Sequence, residues 1–210
     1  MSTVEPKKNV LIFCAKLDYS ANSDAALYFA ESIWPMLVAR RPELHLEIVG
    51  SRPPRNVQRL DGRNNIQVIG GVPDVRPFLG RAWIALCPVR VQAGIQNKIL
   101  EAMALGVPVV ASRVCCSSLP LTHGKQLLIA DSPEEYVAAV ESLLDDQAGR
   151  FNLVRAGRQY VEQHHDWNDA VARLRDAYSD AVADFIRSGA SPVLAQQSSV
   201  ESDGGSPCRS

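Results

Sequence analysis

Gly94-Ile-Gln-Asn-Lys-Ile-Leu-Glu-Ala-Met-Ala-Leu-Gly-Val-Pro-Val-Val-Ala-Ser112 sets a short helix, a glycine stop and a buried strand one after another. Asn97 and Lys98 fall in the first helical turn, where backbone N–H groups without intrahelical partners and the positive end of the macrodipole attract anions. Glu101 follows Lys98 by three positions and Asn97 by four, so all three side chains share one face. A cation, an amide and a carboxylate on one face suit a ligand that carries both an anion and a diol. Gly106 ends the helix, and Val107-Pro-Val-Val-Ala111 follows as a short buried strand.

Upstream, the same alternation repeats. Val10 to Ala15 is a continuous apolar run suited to a strand covered on both faces. Asp24 to Arg40 has helical periodicity through Leu27, Phe29, Ile33, Trp34 and Leu37, with a bend or break expected at Pro35. Leu44 to Gly50 is a second strand that ends in Gly-Ser-Arg-Pro-Pro turn chemistry, and Ile66 to Ile69 is a third. Gly70-Gly-Val-Pro73 leads into a short helix around Asp74 to Arg81, and Trp83 to Cys87 is a fourth strand closed by Pro88. Strand alternating with helix implies a doubly wound α/β fold: a parallel, Rossmann-like sheet whose ligands bind beyond the carboxyl ends of the strands. Lys16, Gly71, Arg90 and the motif turn all fall at those ends.

Downstream, the chain turns helical after Leu127 to Ala130. Ser132-Pro-Glu-Glu135 has the form of a capping box with proline at the first helical position. Gln147 to His165 and Trp167 to Arg187 read as two more helices, the last with Val171, Leu174, Tyr178, Val182 and Phe185 along one stripe. The expected organisation is an arm over residues 1–8, one domain over 9–187 and a disordered Ser-, Gly-, Pro- and Gln-rich tail over 188–210.

The central segment resembles the nucleotide-sugar site of GT-B-fold glycosyltransferases of family 4, whose usual form is a glycine-rich turn followed by L-E-A-M-A-x-G-x-P-V-V-A. Preceded by Pro88-Val-Arg90 and by Val72-Pro-Asp-Val-Arg-Pro-Phe78, it is similar to bacterial exopolysaccharide sugar transferases of the PEP-CTERM-associated type. Asp18-Tyr19, Asn22 and Asp24-Ala25 fit the same subgroup, and the resemblance covers Asn9 to Tyr178. It implies a C-terminal, donor-binding half-domain that moves a hexosyl group from a nucleoside diphosphate sugar to a glycan or lipid-linked acceptor with retention. It also implies a facing N-terminal acceptor domain that this chain lacks. That half is expected to be separately encoded, lost by truncation, or supplied by a partner chain.

Carried over residue by residue, the resemblance assigns Glu101 to the ribose hydroxyls, for which an ionised carboxylate is a double acceptor. Asn97 and Lys98, with the turn Gly94-Ile95-Gln96, would hold the diphosphate, and Arg90 would neutralise it as it leaves. Lys16 lies in the turn after the first strand, and Gly71, Val72 and Pro73 would lie near the base. Lys98 and Arg90 are the groups expected to act in catalysis. Two departures stand out. Family 4 commonly carries a second Glu eight residues before Glu101, where this chain has Ala93, and glycine is usual in the first turn, where it has Ala15. A non-catalytic nucleotide-sugar binder, or a degenerate subunit supporting a partner transferase, is the alternative reading.

Composition narrows the field. With 46% hydrophobic and 21% charged residues the chain has the make-up of a globular domain, and a net charge of −1 gives no electrostatic case for nucleic acid. Five cysteines at irregular spacing suit a reduced cytoplasm and neither a disulfide framework nor a zinc site. No apolar run approaches the roughly 20 residues that a bilayer requires, and the N-terminus is not a signal peptide, so any contact with the inner membrane is expected to be peripheral. His164-His165, His123, Cys115-Cys116 and Asp145-Asp146 read as ordinary surface or loop residues, and neither metal nor cofactor is expected, the nucleotide sugar being substrate. No G-x-G-x-x-G follows the first strand and no acidic pair closes it, which argues against a dinucleotide oxidoreductase and a phosphate receiver.

Overall fold

The computed structural model describes residues 9–91 and 96–165. Val10–Cys14 (β1), His45–Val49 (β2), Ile66–Ile69 (β3), Ile84–Cys87 (β4), Val109–Ala111 (β5) and Leu128–Ile129 (β6) form one six-stranded sheet in the order β3-β2-β1-β4-β5-β6. Every pairing is parallel. Strands covered on both faces must be apolar throughout, and every residue of β1 and β4 is buried. Sequence order runs outward from β1 in one direction to β3, then jumps to β4 and runs outward in the other. The crevice between the diverging connections opens at the carboxyl ends of β1 and β4.

The flanking helices are Ser20–Tyr28 (α1), Trp34–Arg40 (α2), Arg55–Gln58 (α3), Arg76–Arg81 (α4), Asn97–Ala104 (α5), Arg113–Cys116 (α6), Pro133–Asp145 (α7) and Gln147–His164 (α8). The break expected at Pro35 occurs as a π-helical turn over Phe29–Ile33 that joins α1 to α2. Proline cannot donate to the carbonyl four residues before it, and the wide turn absorbs that missing bond. It also lets both Ile33 and Trp34 reach the core, where the Trp34 indole donates to the Asn64 carbonyl at 2.7 Å. One charged side chain enters the sheet: Glu47 of β2 is buried and accepts through both oxygens from Arg81 at 2.8 Å.

Several boundaries differ from expectation for local reasons. The strand expected from Val107 begins at Val109, because Gly106 N–H donates to Met103 at 3.0 Å and Val107 N–H to Ala102 at 2.9 Å. Those two bonds, with Gly106 at φ 74°, are the Schellman closure of α5. Helix α4 starts at Arg76 rather than Asp74, whose carboxylate instead accepts from the Arg76 N–H at 2.9 Å. Two one-turn helices, α3 and α6, were not expected, being too short to show helical periodicity. The capping box at Ser132 is present in full, with Pro133 in the first turn of α7. The expected arm over 1–8, the helix over 167–187 and the tail over 188–210 lie outside the described residues. Among the described residues, no helix is long and apolar enough to cross a membrane, and Cys14, Cys87, Cys115 and Cys116 are free thiols.

Gly50 closes β2 against the turn after β1. A Cβ there would stand 1.7 Å from the Ala15 carbonyl oxygen and 3.0 Å from Leu17 Cγ, and Ala15 itself is tied by its N–H to Val49 at 3.0 Å. Gly50→Ala is expected to destabilise the domain by about 3 kcal/mol or more through backbone overpacking, lowering Tm by roughly 6–12 °C, as calorimetry would show.

Candidate functional site

A cleft of about 560 Å³ occupies the crevice predicted by the strand order. The turn after β1 (Ala15, Lys16), the end of β2 (Gly50, Ser51), the segment after β3 (Gly71, Val72) and the start of α5 (Gln96, Asn97, Lys98, Glu101) form its walls. The order 3-2-1-4 brings these distant segments together, since each follows a strand pointing the same way. Helix α5 begins without a side-chain cap, which leaves its first N–H groups without a side-chain acceptor. The positive end of its dipole therefore bears on the cleft.

Lys98 leans back from this helix toward α1. Its ammonium donates to Asn22 Oδ1 at 2.7 Å and lies 5.3 Å from the Phe13 ring centroid. Asn22 in turn donates through Nδ2 to the Lys16 carbonyl at 2.9 Å. The Lys16 side chain is 68% exposed at the rim, 3.8 Å from Asp18, which also receives Arg52 at 3.3 Å. Glu101 is exposed on the same face of α5. Cys14 lies on the floor, and its thiol is pushed up to about 12 by burial first, then by the charges of Glu101 and Glu47, with Lys98 opposing. The thiol is therefore neutral near pH 7 and is no nucleophile.

Of the residues singled out from sequence, Gln96, Asn97, Lys98, Glu101, Lys16, Gly71 and Val72 line this cleft. Gly94 and Ile95 lie outside the described residues. Pro73 is not part of the lining, and neither is Arg90. The Arg90 guanidinium stacks over Tyr28 at 4.5 Å and borders a separate hollow of about 200 Å³ with Ala21, Asp24 and Val91. Asn22 and Tyr19 line the cleft, although sequence reasoning gave them no role beyond fitting a pattern. The missed signal was their position, one turn beyond a strand end.

A larger cavity, about 670 Å³, opens at the other edge of the sheet, between the residues leading into β4 and β5 and the first turns of α8. Its walls are mainly apolar, with Arg150 stacked 3.5 Å over Trp83. It lacks the convergence of lysine, amide and carboxylate found at the carboxyl edge, so size does not decide the site. The histidines behave as expected of structural residues. His123 Nδ1 accepts from Ile129 N–H at 2.9 Å, and His164 stacks on Tyr160 at 4.7 Å. Among the described residues no three potential metal ligands gather.

A family model described as glycosyl transferases group 1 matches residues 8–146. The chain belongs to that family. Similar curated relatives include a glycosyltransferase 1 domain-containing protein 1 from Xenopus tropicalis, 26% identical over 173 residues, which are 78% of this chain and 48% of that protein. A D-inositol 3-phosphate glycosyltransferase from Arthrobacter sp. (strain FB24) is 34% identical over 172 residues, 75% of this chain and 40% of that one. The chain thus spans less than half the length of these relatives. Among solved structures, HepE from Anabaena in complex with UDP superposes with a TM-score of 0.67 at 14% identity, covering 82% of this chain and 49% of HepE. The C-terminal domain of LpcC, a group 1 family glycosyl transferase from Francisella tularensis, superposes at 0.59 and 15% identity, covering 78% of this chain and 89% of that domain. At these identities the likeness establishes the fold, a GT-B-type Rossmann-like domain.

Cys14 is expected to resist iodoacetamide in the folded protein at pH 7–8 and to react once the chain is unfolded. Mass mapping of the peptide bearing Cys14 checks this, and fast labelling in the folded state would show a thiolate that the site does not predict.

Proposed function

We propose that this chain is the donor-binding half of a retaining glycosyltransferase of family 4, of the kind associated with PEP-CTERM exopolysaccharide systems. It would bind a nucleoside diphosphate sugar in the carboxyl-edge cleft and present the sugar to a glycan or lipid-linked acceptor. The observation that carries this reading is the meeting of the uncapped α5 N-terminus, Lys98, Asn97 and Glu101 in one cleft at the point where the strand order reverses. The complexes of HepE with UDP and of a pneumococcal O-GlcNAc transferase with UDP and GlcNAc support the ligand class. Because the relatives extend well beyond the matched region, we include in the proposal a facing acceptor-binding half, in the same polypeptide or another.

In this reading the diphosphate lies across the first turn of α5. The free N–H groups and the Lys98 ammonium stabilise the charge that develops on the leaving diphosphate, which is electrostatic catalysis aimed at the departing group. Glu101 accepts from the ribose hydroxyls. Arg90 would contribute only after leaving the Tyr28 ring, and Lys16 from the rim. No metal enters this scheme, and the reaction is placed in the cytoplasm, where nucleotide sugars are substrates.

One specific pair of observations favours a binder without transfer activity: Ala93 replaces the second carboxylate of the family pattern, and Arg90 is parked away from the cleft. Slow hydrolysis of a bound nucleotide sugar in the absence of acceptor, dependent on Lys98, would decide for the enzyme.

Thermal unfolding with UDP, GDP and their sugar conjugates tests the site. A ligand present at 100 times its Kd stabilises by about 2.7 kcal/mol, or roughly 5–10 °C for a domain of this size. That shift is expected for one base and is expected to fall away in Glu101→Ala, while the unliganded Tm stays within roughly 2 °C, as for a surface substitution. No shift with any nucleotide at millimolar concentration would end the donor-binding reading for this chain.

A further inference from the structure

We propose that Asn22 is a positioning residue of the diphosphate site: it aims Lys98 at the ligand without neutralising it. This rests on the donor-binding reading above. A lysine on a four-carbon stem is a poor locator of charge unless something fixes its end. Here the ammonium donates to Asn22 Oδ1 at 2.7 Å. The other half of the amide, Nδ2, donates to the Lys16 carbonyl at 2.9 Å. An ammonium only donates and a carbonyl only accepts, so chemistry alone sets the amide's orientation, oxygen to Lys98 and nitrogen to Lys16.

Asn22 is itself anchored. It stands in the first turn of α1, and its own N–H donates to the Tyr19 carbonyl at 2.9 Å. The amide therefore joins three parts of the cleft, the turn after β1, the start of α1 and the first turn of α5. Without it, the lysine of one wall and the backbone of the other would be held only through the sheet beneath.

The choice of an amide has a further consequence. Among the described residues no carboxylate lies within ion-pairing distance of Lys98. Asn22 takes one of the three ammonium donors and leaves two for phosphate oxygens, with the positive charge uncompensated. An aspartate in its place would hold the ammonium as firmly. It would also cancel the charge, repel the incoming diphosphate, and set a carboxylate oxygen against the Lys16 carbonyl.

The test is a double-mutant cycle read by titration calorimetry with UDP or GDP, whichever the wild type binds, and with the matching nucleoside as control. Asn22→Ala is expected to weaken diphosphate binding by roughly 5-fold and Lys98→Ala by ~10-fold or more, with the double variant no weaker than Lys98→Ala, because the amide acts through the lysine. Nucleoside affinity is expected to stay at the wild-type value in all three, which general damage to the fold would not allow. Asn22→Asp, nearly isosteric, is expected to bind the diphosphate more weakly than Asn22→Ala, and it carries the test if the alanine variant fails to fold. Unchanged diphosphate binding in Asn22→Ala, additive losses in the double variant, or wild-type affinity in Asn22→Asp would each overturn the assignment. Failure of the wild type to bind any nucleoside diphosphate would instead remove the donor-binding reading on which it stands.

Discussion

The hydrogen bonding of β1 to β2 on one side and to β4 on the other organises the whole domain. β1 is paired on both edges and covered on both faces, and at its carboxyl end the chain leaves it into the crevice. The connections from β2 and β3 arrive there on one side and α5 arrives on the other. The site is thus a product of strand order rather than of any one loop. Close packing at Gly50, where the Ala15 carbonyl takes the place of a side chain, keeps the first two turns near enough to form one wall.

The electrostatics of the cleft follow from what is buried beneath it. Lys98 is half-buried and bonded to a neutral amide, so its charge is oriented and remains available. Cys14 below it stays protonated, because burial and the neighbouring carboxylates outweigh the lysine. Glu47, a carboxylate buried in β2, is answered by Arg81 at the end of α4, which donates to both of its oxygens. What meets at the carboxyl edge is a helix terminus, a lysine and an exposed carboxylate, the features on which the proposed nucleotide-sugar site rests.

Two departures from the resembling family take on different weights in three dimensions. The turn that carries Ala15 is fixed by Gly50, whose missing side chain leaves room for the Ala15 carbonyl. The missing carboxylate at Ala93 has no counterpart among the cleft residues described, and Arg90 is held on Tyr28. Binding therefore has more structural support than transfer in this chain.

The elements and the alternation of strand and helix were legible in the sequence, because a parallel sheet buried on both faces demands continuous apolar runs and Val10 to Cys14 or Ile84 to Cys87 can be little else. The stops were equally local: Gly106 at positive φ, the Ser132 and Glu135 box, and Pro35 breaking its helix. Spacing alone placed Lys98 and Glu101 on one face of α5. Tertiary structure decided what meets that face. Asn22 lies 76 positions from Lys98, and no periodicity couples residues so far apart; Gly50 matters only because another strand's turn packs on it. Arg90, adjacent in sequence to the motif, is held by an aromatic ring on α1, a contact set by side-chain packing and invisible to spacing. Sequence determines which segments can be strands and which helix face carries charge, since those depend on neighbours along the chain, whereas the partners across the cleft depend on strand order, which only the folded sheet settles.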